Sequence, residues 1–229
     1  MLQSLGKDLW TVEGPTVEGA AGFRFPTRMC IARLPDGSLW LHSPIALTPE
    51  VHSAVSNLGP VRHLIAPNDL HYMSLPAWCA AHPRAQVHTA PGVTKKCLLT
   101  GTETPLGDTP PASWEGVFDQ VMFRGNLITT EVVFFHRSSG TAIFTDLLQQ
   151  MPAGWFSGWR SVVARLDRMT GDAPAVPWKF RLAFRDRVAL RAALARVRDW
   201  PVQRLAIAHG PVVSTNAGTA VRHAFAWSA

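Results

Sequence analysis

Leu64-Ile65-Ala66-Pro67-Asn68-Asp69-Leu70-His71-Tyr72 is the stretch on which the reading of this chain turns. A short apolar run ends in a loop that carries an acid and an imidazole two residues apart. Two later segments repeat the design. Ala142-Ile143-Phe144-Thr145-Asp146 is an apolar run ending on a carboxylate, and Leu205-Ala206-Ile207-Ala208-His209-Gly210 is one ending on a histidine before glycine. Short apolar runs of this kind read as buried strands, whose last residues lie at one rim of a sheet. The three tips could therefore meet. Carboxylate oxygen and imidazole nitrogen are donors that zinc, iron and manganese accept.

The rest of the composition permits a folded domain around such a site. A chain of 229 residues, 47% of them hydrophobic, can bury a sizeable core, and 17% charged residues is too few for a disordered chain. One domain over residues 1–229 is expected, because no linker-like break divides the sequence. No run reaches the ~20 apolar residues that a membrane-spanning helix needs. The start, Met1 to Asp8, has neither a basic opening nor an apolar run, so no secretory signal is expected. Cys30, Cys79 and Cys97 show no framework spacing, which favours a reducing compartment and a cytoplasmic protein. The formal charge of +6 comes from arginines, several of them on an expected helix over residues 186–200. These read as a solvated face rather than a nucleic-acid surface, because no basic run is interleaved with stacking aromatics.

Hydrophobic patterning predicts a mixed order of elements. Residues 8–13 read as an edge strand closed by Gly14-Pro15. Arg28 to Leu34 and Ser38 to His42 read as a hairpin around Pro35-Asp36-Gly37. Thr48 caps a helix with Pro49 in its first turn, and residues 61–65 return as a buried strand, a spacing that implies parallel pairing. A helix over 74–81, a strand at 86–89 and a long irregular loop over 91–116 follow. Strands at 117–123, 131–135 and 141–145 precede a tryptophan-rich connection over 151–178 with a helix at 160–168. The basic helix, the strand ending at His209 and a helix over 215–227, capped by Thr215 or Asn216, complete an α/β chain with helices outside mixed sheets.

Gly14-Pro15-Thr16, Pro26-Thr27-Arg28-Met29, His42-Ser43-Pro44-Ile45, Ala66-Pro67-Asn68, Val132-Val133-Phe134-Phe135-His136 and Thr145-Asp146-Leu147 together resemble the DUF4336 branch of the metallo-β-lactamase-fold superfamily. The resemblance implies a four-layer αββα sandwich. It also implies metal-binding positions, which this chain fills unevenly. On the superfamily's first motif, His-x-His-x-Asp-His, Pro67 and Asp69 fall at the leading histidines, His71 at the aspartate and Tyr72 at the last histidine. The next histidine would fall near Asn126 or Leu127. Asp146 matches the bridging aspartate, and His209-Gly210-Pro211 matches the final histidine context. One ion's ligands are thus largely missing. The other's survive as His71, Asp146 and His209, with Asp69 or Tyr72 as supplements.

The resemblance therefore implies a hydrolase with one divalent transition metal, zinc or else iron or manganese, acting on a small-molecule ester, lactone, thioester or amide, an anionic one included. Asp146 or Asp69 would handle the proton. His42, Asn68, Tyr72 and Arg28 are candidates for supporting the ligands or the substrate. The competing expectation is a metal-free scaffold that binds a small ligand or protein partner. An iron-bound redox protein is a third, and a homo-oligomer is compatible with each. Ser43, next to His42, suggests a serine nucleophile but lacks a Gly-x-Ser-x-Gly elbow. Trp155, Phe156 and Trp159 read either as a lid or as core anchors. His63, His88 and His136 alternate with apolar residues and read as structural.

Overall fold

The computed structural model describes residues 1–97, 99 and 101–228. Its first half builds one sheet. Strands β1 (Gln3–Gly6), β2 (Leu9–Glu18), β3 (Arg24–Arg33) and β4 (Leu39–His42) form an antiparallel meander. Helix α1 (Pro49–Ser56) then crosses over to β5 (Val61–Ala66), parallel to β4 as the strand–helix–strand spacing requires. The Thr48 hydroxyl accepts from Val51 N at the start of α1. Helix α2 (Leu75–Ala81), strand β6 (Gln86–Thr89), helix α3 (Val93–Lys96) and the short β7 (Thr104–Pro105) complete this half, with β6 and β7 parallel to β5.

The second half builds a smaller sheet from β8 (Phe118–Phe123), β9 (Glu131–His136) and β10 (Thr141–Gln149), antiparallel in sequence. Helices α4 (Trp159–Leu166), α5 (Trp178–Ala183) and α6 (Arg187–Arg198) precede β11 (Arg204–His209), which lies parallel to β10, and α7 (Ala217–Ala224) is followed by a short 3-10 turn over Ala226–Ser228.

Period-two alternation sorts each strand between two cores. Cys30, Ala32, Ile65, Phe134, Ile143 and Ala206 face the space between the sheets, where Trp40, Trp114 and Phe118 fill it. Their strand neighbours Met29, Ile31 and Leu64 point outward onto Val55, Leu75 and Trp78 of α1 and α2. On the far side, Val133, Phe135, Phe144 and Ile207 meet Leu190, Leu194 and Val221 of α6 and α7. The result is the four-layer αββα sandwich.

Four local expectations need correction. The strand at 8–13 is not an edge: β1 pairs outside it, and it runs on through Gly14-Pro15, where a shift in register spares the ladder the proline's missing N–H. The 91–116 stretch carries α3, β7 and a turn whose Trp114 is fully buried, although residues 98 and 100 lie outside the described ones. The third central strand does not stop at Asp146 but continues to Gln149, entirely buried. Asn216 occupies the cap position of α7 in a left-handed conformation without a side-chain cap bond.

Candidate metal centre

The three strand tips meet. His71 Nε2 lies 3.1 Å from Asp146 Oδ2, His209 Nε2 lies 3.3 Å from Asp146 Oδ1, and the two Nε2 atoms are 3.3 Å apart. Among the described residues this is the one group of three such side chains whose donor atoms all lie within 4.8 Å of one another. Each member is nearly buried.

Local structure explains the convergence. His71 follows β5 through a turn held by Asn68, whose Oδ1 accepts from Leu70 N and His71 N at 2.9 and 3.0 Å. Asp146 sits where the β10–β11 register slips between Phe144 and Gln149. There the backbone N–H groups of Thr145, Asp146 and Leu147 donate to the Glu131 carboxylate at 2.8, 2.8 and 3.1 Å. Glu131 thus stands in for a ladder partner and fixes the backbone that carries Asp146. Asn68 Nδ2 reaches Glu131 Oε2, Thr145 Oγ1 and Asp146 Oδ2, tying the first tip to the second. His209 ends β11 and is followed by Gly210, where a Cβ would come within 2.6 Å of the Gln150 carbonyl oxygen. Only glycine allows that approach.

Proton positions bear on what the cluster can hold. His209 Nδ1 lies 2.8 Å from the Pro26 carbonyl, which can only accept, so Nδ1 carries the hydrogen and Nε2 is left for the site. His71 Nδ1 lies 2.6 Å from Ser43 Oγ, a hydroxyl that can donate or accept, so either His71 tautomer is satisfied. Burial opposes charge on the His71 ring and on the Asp146 and Glu131 carboxyls. Even so, Asp146 raises the His71 imidazole above its ordinary value, and His71 and His209 hold the Asp146 carboxyl well below its own. Burial and the neighbouring Asp146 charge push the Glu131 carboxyl up.

The other candidates are placed differently. Asn68 is fully buried at the hub just described. Asp69 points away from the cluster: Oδ1 accepts from Thr129 Oγ1 at 2.6 Å and Oδ2 pairs with Lys96 Nζ at 2.7 Å, so both oxygens are engaged elsewhere. Tyr72 packs on the outer core of the larger sheet and lines a small cavity of about 80 Å³ with Ser43 and His71. Arg28 is buried between the sheets, its Nη1 donating to the carbonyls of Ile207 and Gly210 and its Nη2 to Glu13 Oε1, so it braces the end of β11. His42 faces the core between the sheets, stacked on Trp40, and burial followed by the nearby His71 pushes its imidazole down to about 3. Around the other ion's positions, Pro67 O accepts from Val132 N and Asn126 Nδ2 donates to Phe180 O.

Sequence reasoning missed Glu131 and set Ser43 aside. A signal existed for the first: Glu131 shares strand parity with Val133 and Phe135, which face the core, so its carboxylate had to be buried and therefore partnered. None existed for the second, because the Ser43–His71 contact joins residues 28 apart.

Solved structures with this architecture define the class. The chain is similar to a metallo-beta-lactamase from Pontibacter korlensis (TM-score 0.59, 12% identity, covering 99% of this chain and 98% of that one). It is similar to the FIM-1 metallo-beta-lactamase from Pseudomonas aeruginosa in its mono-zinc form (TM-score 0.56, 14% identity, 100% and 92% covered). It also resembles the metal-soaked Flv1 flavodiiron core from Synechocystis (TM-score 0.65, 12% identity), of which it spans 60%. The protein has the metallo-β-lactamase fold. The family model described as "Domain of unknown function (DUF4336)" matches residues 7–157, and the chain belongs to that family. No curated protein matches the sequence.

Proposed function

We propose that His71, Asp146 and His209 hold one divalent transition metal ion, zinc or else iron or manganese, in a site for hydrolysis of a small-molecule ester, lactone, thioester or amide. The observation that carries this reading is the spacing of the donor atoms. The two imidazole Nε2 atoms are 3.3 Å apart, the edge of a tetrahedron with bonds of about 2.0–2.1 Å. Each meets a different oxygen of Asp146, at 3.1 or 3.3 Å, and one ligand atom from each residue falls within 4.8 Å of the others. A second feature supports it: His209 Nε2 and Asp146 Oδ1 confront each other as two lone pairs, which need a proton or a cation between them.

Such an ion, when bound by three protein ligands, supplies Lewis acidity and makes water nucleophilic near neutral pH. The chain's own residues do the rest. Ser43 and the Pro26 carbonyl fix the two imidazole rings, as hydrogen bonds behind metal-binding histidines do. Asn68 and Glu131 lock Asp146, whose carboxylate, kept ionised by the two imidazoles, faces the site as a hydrogen-bond acceptor. A mostly apolar cavity of about 610 Å³ is walled by Pro26, Arg28, Trp155 and, on either side of His209, Ala208 and Gly210. The three ligands do not line it, while His71 lines a smaller cavity of about 80 Å³ with Ser43 and Tyr72. The larger one is the room nearest the site for a substrate. Three free cysteines favour a cytoplasmic setting, and among the described residues no helix is long and apolar enough to cross a membrane.

The competing reading, a metal-free scaffold, draws on the direct His71–Asp146 ion pair, which balances the carboxylate's charge without an ion. Elemental analysis of protein purified without added metal separates the two. The expected result is one equivalent of transition metal, a gain in melting temperature on adding zinc, manganese or iron to stripped protein, and loss of both in Asp146→Asn and His209→Ala. Absence of bound metal together with no thermal gain overturns the hydrolase reading.

A further inference from the structure

Helix α4 is amphipathic with its apolar side outward. Trp159, Val162, Val163 and Leu166 are 55%, 58%, 41% and 70% exposed, while Ala164 is buried against Met151, Phe156 and Met169. At helical spacing the four fall within a stripe about 100° wide, the width that normally faces a core. Here it faces solvent. An open cavity of about 500 Å³ beside it, lined by Phe156, Val162 and Leu166, extends the apolar surface.

Charge surrounds the stripe. Arg160 and Arg165 lie on its two flanks by the same spacing, and the Arg160 guanidinium sits 4.8 Å from the Trp159 ring centre. The segment from residue 153 to 185 carries Arg160, Arg165, Arg168, Lys179, Arg181 and Arg185 against only Asp167 and Asp172. On the helix and just past it, Arg160, Arg165 and Arg168 are offset only by Asp167, which is already paired with Lys179.

We propose that the α4 face docks on an anionic lipid surface, the helix lying in the plane of the interface with Trp159, Val162, Val163 and Leu166 inserted and the arginines at the headgroups. An apolar stripe bearing tryptophan and flanked by arginine is the pattern of an interfacial helix, and juxtaposed basic residues are attracted to anionic headgroups. A second copy of the chain suits the face less well. A two-fold contact would bring Arg160 and Arg165 of one copy toward the same residues of the other, like charge against like. The inference is independent of metal binding at His71, Asp146 and His209. The two regions nevertheless adjoin, since Ala153 lines both the cavity beside α4 and the one beside His209.

Vesicle co-sedimentation of the full chain tests the proposal. The protein is expected to sediment with vesicles of phosphatidylcholine mixed with phosphatidylglycerol, far less with phosphatidylcholine alone, and progressively less as salt is raised. Val163→Glu/Leu166→Glu should reduce sedimentation to the level on neutral vesicles, as should Arg160→Glu/Arg165→Glu. Val188→Glu, on the exposed side of α6, should sediment like the parent chain. An unchanged melting temperature in each variant shows that the fold is intact. No binding to anionic vesicles overturns the proposal, and so does equal binding by Val163→Glu/Leu166→Glu. A dimer in light scattering that this double variant dissolves also overturns it, assigning the face to a second copy instead.

Discussion

Two pairs of histidines in this protein have nearly the same separation and opposite chemistry. His71 and His209 approach to 3.3 Å at the rim of the sandwich, and His63 and His88 to 3.2 Å between the sheets. Beside the first pair stands Asp146, and the His71 imidazole is raised despite its burial. Beside the second stands the Trp114 ring, 4.6 Å from His88, and burial followed by the neighbouring His63 drives His88 down to about 4. Residue type and pair spacing are shared. The carboxylate of Asp146, aimed by a buried glutamate and an asparagine, separates a candidate cation site from a core pair whose imidazoles burial drives down.

The comparison can be broken most severely at Glu131. Glu131→Ala leaves the N–H groups of Thr145, Asp146 and Leu147 buried without an acceptor, at about 1–3 kcal/mol each. The expected loss is about 3 kcal/mol or more by urea denaturation, with disordered metal binding, whereas Glu131→Gln retains part of both. A loss under about 1 kcal/mol would show that Asp146 is held in some other way.

A smaller and more local effect is expected at Ser43, which bears only on the first pair. Ser43→Ala removes the partner of His71 Nδ1 and should weaken metal binding about 10–100-fold in a competitive chelator titration. Ser43 holds a left-handed backbone with φ of 54°. Ser43→Gly relieves that conformation while removing the same hydroxyl, so it should match Ser43→Ala in metal affinity and exceed it in melting temperature. Equal affinity in parent and both variants assigns the hydroxyl no part in holding the ring.

The smallest effect sharpens the second pair. His88 and His136 are each lowered, chiefly by burial, to about 4 from an ordinary 6.5. Their unfolded-state rings take up protons first as pH falls, so their stability contribution is complete above about pH 6.5 and is lost on acidification toward about pH 4. Near pH 5.5, one unit below the ordinary value, each ring costs about 1.4 kcal/mol. His88→Gln should therefore flatten the pH dependence of unfolding by about that amount over this range, read as the change between pH 7 and pH 5.5 rather than as absolute stability. An unaltered slope would mean that His88 titrates normally.

Much of this architecture was legible beforehand because it depends on neighbours in sequence. The hairpin around Asp36-Gly37, the cap at Thr48, the crossover into β5 and the basic helix follow from turn chemistry and periodicity. The residues that meet at the rim were also legible, as charged or imidazole ends to apolar strands. Longer-range competition defeated the rest. Pro15 lies within β2 because a register shift removes the need for its N–H, and Trp114 anchors the inter-sheet core although its own neighbourhood reads as loop. Arg28, a candidate for meeting a substrate, lines the cavity beside Gly210 while its guanidinium is also held by Glu13 and by the carbonyls of Ile207 and Gly210, about 180 residues away.

The sequence by itself determined which side chains could ligate and roughly where each strand ends, since these depend on residue type and local pattern. Tertiary structure alone decided that His71, Asp146 and His209 share one centre while Asp69, two residues from His71, turns to Lys96 and Thr129. The physical reason is reach. Hydrogen bonds from Asn68 and Glu131 join segments some 60 to 80 residues apart, and the direction of a carboxylate is fixed by partners that only the packed sheets bring within 3 Å.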